Sequence, residues 1–269
     1  MTERTLALRR EIEEDLAAGG SVLVAFSGGV DSAVVAALAR RALRAEALAV
    51  TAAAETLAGA ELDQARALAA EIGIAHEIVT YSELDDPEYV ANPVWRCYVC
   101  QGMRMATMVR LAAARGYSRV CDGTNASDPG PDRPGLRAVR EQGVESPLLA
   151  HGVTKAEVRE IARGLGLSAW DRPANACLSS RIPHGQPVTL GKLRRVERAE
   201  SLLLERGFRV VRVRHDESGA RVEVGVDEVR RLESLWPVLL PDLLALGFRA
   251  ATLDPGGYRS GGADRLSGR

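Results

Sequence analysis

The feature that most constrains the fold is a four-residue apolar run, Val22-Leu23-Val24-Ala25, followed at once by Phe26-Ser27-Gly28-Gly29-Val30-Asp31-Ser32 and an alanine- and leucine-rich stretch over 33–43. The run reads as a strand buried on both faces, the kind found in parallel sheets. The stretch that follows reads as a helix. A glycine pair between them lets the backbone pass close to a ligand. The helix start then offers free N–H groups and a positive dipole end to an anion. Ser27 and Ser32 add hydroxyls, and Asp31 can engage a metal carried by phosphates.

The rest of the N-terminal part repeats this alternation. Helical spacing is expected over 4–18, a second strand over 45–51, a helix over 56–72, a third strand over 75–81, a helix over 102–114 and a short strand over 118–121. Thr154-Lys155-Ala156-Glu157 is a capping box that opens a further helix. Alternating units of this kind predict an α/β fold with a doubly wound parallel sheet, whose ligands collect beyond the carboxyl ends of the strands. Both the glycine loop and Asp122-Gly123-Thr124-Asn125 fall at such ends. Residues 128–134, poor in structure signals, are expected to form a mobile active-site loop.

After Pro183 the texture changes. Thr189 can cap a helix running to 205. Strands are expected over 208–215 and 220–226, Asp227 can cap a helix to 235, another helix precedes Gly247, and a last strand covers 248–253. The expected organisation is therefore one domain over 1–185 and a small α+β module over 186–269.

With 269 residues and 46% hydrophobic content, the chain can build a sizeable core. A net charge of −1 gives no global signature of nucleic-acid or membrane binding. No signal peptide or spanning stretch is read, so a cytoplasmic location is expected. The four cysteines are then not expected to form structural disulfides. Cys121 ends a buried strand and reads as a small hydrophobe. Cys97-Tyr98-Val99-Cys100 can hold two sites of a metal or cluster, or act as a redox pair. Cys177 lies in a Pro- and Ser-flanked loop beside Arg181, where a thiolate is stabilised. Three such cysteines together with the glycine loop favour a cluster.

The loop lacks the Gly-Lys-Ser/Thr ending of a P-loop. Ser-Gly-Gly-Val-Asp-Ser resembles instead the pyrophosphate loop of the PP-loop ATP pyrophosphatases, which adenylate a substrate and release pyrophosphate. More specific segments resemble the LarE family, the sulfur transferases of nickel-pincer cofactor synthesis. These are Asn92-Pro93, Arg96-Cys97-Tyr98 with Cys100, Asp122 to Asn125 with Asp128, Arg133 to Ala138, Ser146-Pro147-Leu148, Ala176-Cys177-Leu178 with Ser180 to Pro183, and Gly257 to Gly261. The resemblance implies ATP-dependent conversion of pyridinium-3,5-biscarboxylic acid mononucleotide to its thiocarboxylates. It implies ATP, Mg²⁺ and, with Cys97, Cys100 and Cys177 all present, a [4Fe-4S] cluster that takes up sulfide or another sulfur donor. In a second type within the family, a cysteine at the Cys177 position gives up its own sulfur. The implied nucleotide contacts are Ser27, Gly28, Gly29, Val30, Ser32, Gly123, Thr124 and Asn125, with Asp31 and Asp128 for Mg²⁺.

An anionic substrate needs cations. Ser180, Arg181, Arg212 and Arg214 are the candidates for its phosphate. For the two strand arginines, a solvated edge face is the competing reading. The basic stretch 192–198 reads as solvated. A homo-oligomer is expected from the resemblance. Competing functions are an amidotransferase or synthetase of the NAD or GMP type, a tRNA thiolase, and a nucleotide- or cluster-binding sensor.

Overall fold

The computed structural model describes residues 1–128, 134–173, 176–216 and 218–258. The core of the loop expected at 128–134, and Arg133 and Arg259 to Gly261 of the family-like segments, lie outside the described residues. The elements in chain order are α1 (Glu3–Ala18), β1 (Val22–Ala25), α2 (Val30–Leu43), β2 (Ala47–Ala53), α3 (Gly59–Ile72), β3 (Ala75–Thr80), α4 (Pro87–Val90), α5 (Arg96–Arg115), β4 (Arg119–Cys121), α6 (Pro134–Glu141), α7 (Pro147–Ala150), α8 (Lys155–Gly164), a 3-10 turn (Leu178–Arg181), α9 (Leu190–Glu205), β5 (Val211–Asp216), β6 (Gly219–Val224), α10 (Val229–Ala245) and β7 (Ala251–Leu253).

Contacts divide the chain into two compact units. The first comprises Met1–Glu83 and Trp95–Asn175, the second Leu84–Val94 and Ala176–Arg269. The expected boundary at 185/186 thus falls inside the second unit. The second unit also takes in a segment from the middle of the N-terminal half. Asn92 explains why: at φ 57° its Nδ2 donates to the carbonyls of Pro183 (2.7 Å) and Gln186 (2.8 Å), so this segment is stitched to the residues after Arg181.

The first unit is a parallel sheet in the order β3-β2-β1-β4. β1 is central, and its unbroken apolar run follows from burial on both faces. Val22 and Val24 pack with Ile12 and Leu16 of α1, the Ala33 to Ala39 stretch of α2 and Val158 and Ile161 of α8. Leu23 packs on the opposite side with Leu48, Val50, Met105 and Met108. The strand order reverses direction between β1 and β4, which places the crevice of the sheet beyond the ends of these two strands.

The second unit is a three-stranded sheet, β5-β6-β7, with β5 and β6 antiparallel and β6 and β7 parallel. Period-two alternation sorts its side chains. Val211, Val213, Ala220, Val222 and Val224 join Ala199 and Leu203 of α9 and Leu232, Leu239 and Leu243 of α10 in one core. Arg212, Arg214, Arg221 and Glu223 are thereby sent to the other face.

Two expectations change. The helix expected from 102 begins at Arg96, so Cys97 and Cys100 stand in its first turns rather than in a loop. Its N-cap, Trp95, makes no side-chain cap, so the sequence carries no start signal there. The two helices expected between 227 and 247 are one, α10, with Pro237 and Pro241 inside it. The buried stripe Leu232, Leu239 and Leu243 carries that helix past both prolines.

Candidate functional site

In the first unit the glycine loop joins β1 to α2. Gly28 has φ +74°, and a Cβ there would meet Ala65 of α3 at 3.0 Å, so the turn requires glycine for both conformation and space. Gly29 caps α2 without any side-chain hydrogen bond, which leaves the first turn of the helix open to an outside acceptor. The loop is braced by its serines. Ser32 Oγ donates to the Gly29 carbonyl (3.1 Å) and accepts from Ser27 N (3.2 Å), while Ser27 Oγ accepts from Gly29 N (3.3 Å).

The turn after β4 lies directly against this helix start. A Cβ on Gly123 would fall 2.6 Å from Ser32 N, so only glycine allows the approach. Asp122 is buried and accepts from Thr124 N (3.1 Å), Thr124 Oγ1 (2.6 Å) and Ser146 Oγ (2.7 Å). Burial raises its carboxyl above the usual range, and these hydrogen bonds oppose the rise. Asn125 Nδ2 donates to Asp31 Oδ1 (3.1 Å), and Asp128 Oδ2 accepts from Asn125 N (3.0 Å). The structure thus brings Ser27 to Ser32 together with Gly123, Thr124, Asn125 and Asp128. Lys155, which sequence reasoning passed over except as part of a capping box, places its ammonium 2.5 Å from Asp31 Oδ2.

Cys97 and Cys100 form no disulfide, and the first is exposed and the second buried. Cys100 Sγ donates to Glu83 Oε1 (2.8 Å) and accepts from Arg104 Nη2 (3.6 Å). Glu83 is fully buried and also accepts from Thr56 Oγ1 (2.5 Å) and Tyr81 OH (2.9 Å). Burial, together with the Glu83 and Cys100 charges, pushes the Tyr81 phenol up, against the opposing pull of Arg104. No local signal in the sequence announces this buried carboxylate. Cys121 is buried at the end of β4, and burial pushes its thiol up to about 12, as suits an inert core cysteine.

In the second unit Cys177 is half-buried, with Sγ 3.2 Å from Ser179 Oγ. Ser179 in turn accepts from Tyr89 OH (2.9 Å). Arg181 is 2% exposed and fully engaged. It forms a fork to Glu200 (2.9 Å on both arms) and donates to the Ala176 and Cys177 carbonyls and to Ser180 Oγ. The geometry makes Arg181 a brace for the Cys177 loop.

Arg212 and Arg214 are both buried, which removes the solvated-edge reading. Arg214 pairs with Glu223 and donates to the Ser180 carbonyl (3.1 Å). Arg212 stands 5.0 Å from the Tyr258 ring centre and donates one hydrogen bond among the described residues, to the Val211 carbonyl (2.7 Å). Burial, then the Arg181 charge, lowers its pKa. Of the stretch read as solvated, Arg195 is engaged with His215 (3.0 Å). Among the described residues, no three Cys, His, Asp or Glu side chains are gathered as a single metal ion needs.

The reversed strand order and the glycine loop at its crevice define a nucleotide-using protein of the PP-loop class. The Asparagine synthase family matches residues 5–121. Among solved structures, an NMN synthetase from Francisella tularensis shares the fold, with a TM-score of 0.51, 19% identity and coverage of 64% of this chain and 75% of that one. An uncharacterised protein of Synechocystis is 44% identical over 91% of this chain and 92% of its own length. The pyridinium-3,5-bisthiocarboxylic acid mononucleotide synthase of Lactiplantibacillus plantarum is 36% identical over 89% of this chain and 87% of its own length. The chain belongs to the family of that synthase. No helix among the described residues is long and apolar enough to cross a membrane.

Proposed function

We infer that this chain is an ATP-dependent sulfur transferase that acts on pyridinium-3,5-biscarboxylic acid mononucleotide. A substrate carboxylate attacks the α-phosphorus of ATP and pyrophosphate leaves. A sulfur nucleophile then adds to the acyl-adenylate carbonyl and AMP departs, leaving a thiocarboxylate. The observation that carries this reading is the uncapped start of α2, set against the Gly123 turn with Asp31 at its mouth. Its open N–H groups suit the departing pyrophosphate, and the Asp31 carboxylate suits Mg²⁺, a hard cation that prefers oxygen donors.

The second unit supplies the complementary chemistry. Arg212, with few internal partners, suits the substrate phosphate, and Ser180 and Arg214 frame it. Arg181 holds the chain at Cys177 in place.

Cys97, Cys100 and Cys177 form no disulfides, and thiolate is the donor that a [4Fe-4S] cluster takes. Such a cluster, held by three cysteines, supplies an iron that can carry an extra sulfide. In the alternative, Cys177 donates its own sulfur and becomes dehydroalanine. Anaerobic preparation decides between them. The cluster reading expects bound iron and acid-labile sulfide, loss of both in Cys97→Ala or Cys100→Ala, and an unchanged Cys177 mass after turnover. A loss of the mass of H₂S from Cys177 in one turnover, with full activity in both variants, establishes the sacrificial route instead.

A further inference from the structure

We propose that Tyr258 is a positioning residue for the substrate phosphate: its ring holds the Arg212 guanidinium flat and leaves the donor edge of that group free for the anion. The inference rests on the reading of Arg212 as the arginine that takes the phosphate. Three observations within the second unit carry it.

The first is what Arg212 lacks. It is buried, and the buried carboxylates near it are engaged by other arginines. Glu200 accepts a fork from Arg181 and a bond from Val213 N (2.9 Å), and Glu223 accepts from Arg214 and Arg221. Burial, and then Arg181, work against the Arg212 charge. Among the described residues, no carboxylate fork fixes the plane of this guanidinium.

The second is the ring. Arg212 Cζ lies over the Tyr258 ring, 5.0 Å from its centre. A cation is attracted by the negative charge of an aromatic face, and this contact occupies the flat face of the guanidinium rather than its N–H groups. Among the described residues those groups meet one acceptor, the Val211 carbonyl (2.7 Å). The rest of the edge keeps the fork geometry that suits phosphate.

The third is where the ring stands. Tyr258 is half-buried and does not belong to the apolar core of its unit, where Phe208 and Phe248 pack. Backbone bonds bring it to the arginine face. Tyr258 N donates to the Val224 carbonyl (2.7 Å) and Asp254 N to the Val222 carbonyl (2.8 Å). The segment after β7 is thus laced to β6, the strand paired with the one that carries Arg212. Gly257 makes the last step possible. Its φ is +66°, and a Cβ there would lie 3.0 Å from the Val224 carbonyl oxygen. A ring outside the core, delivered by a glycine turn onto an arginine without a carboxylate partner, is placed to orient that arginine.

Calorimetry tests this with two probes, pyridinium-3,5-biscarboxylic acid mononucleotide and the nucleoside left when its phosphate is removed. The ratio of their affinities isolates the phosphate contact. Tyr258→Leu is expected to lower that ratio roughly three- to tenfold, as for loss of a partly desolvated cation–π contact, with ATP affinity unchanged. Tyr258→Phe keeps the ring and is expected to keep the native ratio. In an Arg212→Met background, Tyr258→Leu is expected to lower the ratio no further, because both changes remove the same contact. Phenylalanines of rising fluorine content at position 258 preserve the shape of the ring and weaken the charge of its face. The ratio is expected to fall stepwise along that series, which decides alone should Tyr258→Leu not fold. A flat series overturns the positioning role while the reading of Arg212 stands. So does an unaltered ratio in Tyr258→Leu, an equal loss in Tyr258→Phe, or an undiminished effect in the Arg212→Met background. A native ratio in Arg212→Met, or native protein that binds neither probe, overturns the reading of Arg212 and the inference with it.

Discussion

The two units prepare for anions by opposite means. The first uses backbone: an uncapped helix start, glycines that admit close approach, and serines that fold back on the loop. The second uses side-chain charge: Arg181, Arg212, Arg214 and Arg221 set against Glu200 and Glu223 on and beside one sheet face. Backbone donors lose little solvation when unliganded and stay where the fold puts them. Buried guanidinium groups are costly to desolvate, so most must be paired internally, and only the one left over is available for a ligand. Mutation should therefore separate function from stability at a ligand-facing side chain such as Asp31 or Arg212, and fail to do so at a packed glycine such as Gly123 or a paired arginine such as Arg214.

The largest effect should come from Asp31→Ala. Its side chain is a quarter exposed and belongs to no core, so the melting temperature should hold, whereas pyrophosphate release should fall about 10²–10³-fold, as for loss of one preorganised electrostatic group. Undiminished release in a folded variant would deny this carboxylate its role. Gly123→Ala should also impair adenylation, through geometry. Its Cβ would press on Ser32 N at 2.6 Å, and the strain should lower stability by about 1–3 kcal/mol.

Arg214→Met should show the converse. It leaves Glu223 buried with Arg221 as its remaining partner, so denaturant unfolding should show a loss of about 3 kcal/mol. Arg212→Met should be milder for the fold, because burial and the neighbouring Arg181 already work against its charge. Substrate affinity should drop by about 1.5–3 kcal/mol, or tenfold and more, while ATP affinity holds. If Arg212 proved as important for stability as Arg214, the division between paired and available arginines would fail.

The same contrast governs what could be read in advance. Backbone-built features are local, so they leave local marks. The apolar run and glycine pair of the β1–α2 joint, the Thr154 capping box and the Thr189 cap at α9 all stand where the sequence placed them. Charge-built features depend on partners distant in sequence. Alternation put Arg212 and Arg214 on one face, but their burial and the pairing of Arg181 with Glu200 come from the tertiary fold. Glu83 sits in an unremarkable polar stretch, and only packing turns it into a buried acceptor for Cys100. The α5 start at Trp95 was invisible because no cap residue marks it.

The smallest effect concerns Asp122, which with Glu83 departs from the first unit's rule by burying a carboxylate. Its folded-state pKa is raised, first by burial. This ionisation therefore opposes folding. The stability associated with the group is full below the unfolded carboxyl pKa and is lost as pH rises through the folded one. Asp122→Asn should remove that loss. Asn Oδ1 can accept from Thr124 N and Ser146 Oγ as before, and the Thr124 hydroxyl can turn to accept from Nδ2 instead of donating. The variant should match or slightly exceed the native protein at neutral pH, by about 1 kcal/mol or less, since the exchange keeps the hydrogen bonds and removes only a buried charge. The difference should vanish in acid, where the native carboxyl is protonated. Denaturant unfolding from pH 3 to pH 8 reads this directly. A variant markedly less stable at neutral pH would mean that the Asp122 charge itself supports the Gly123 turn.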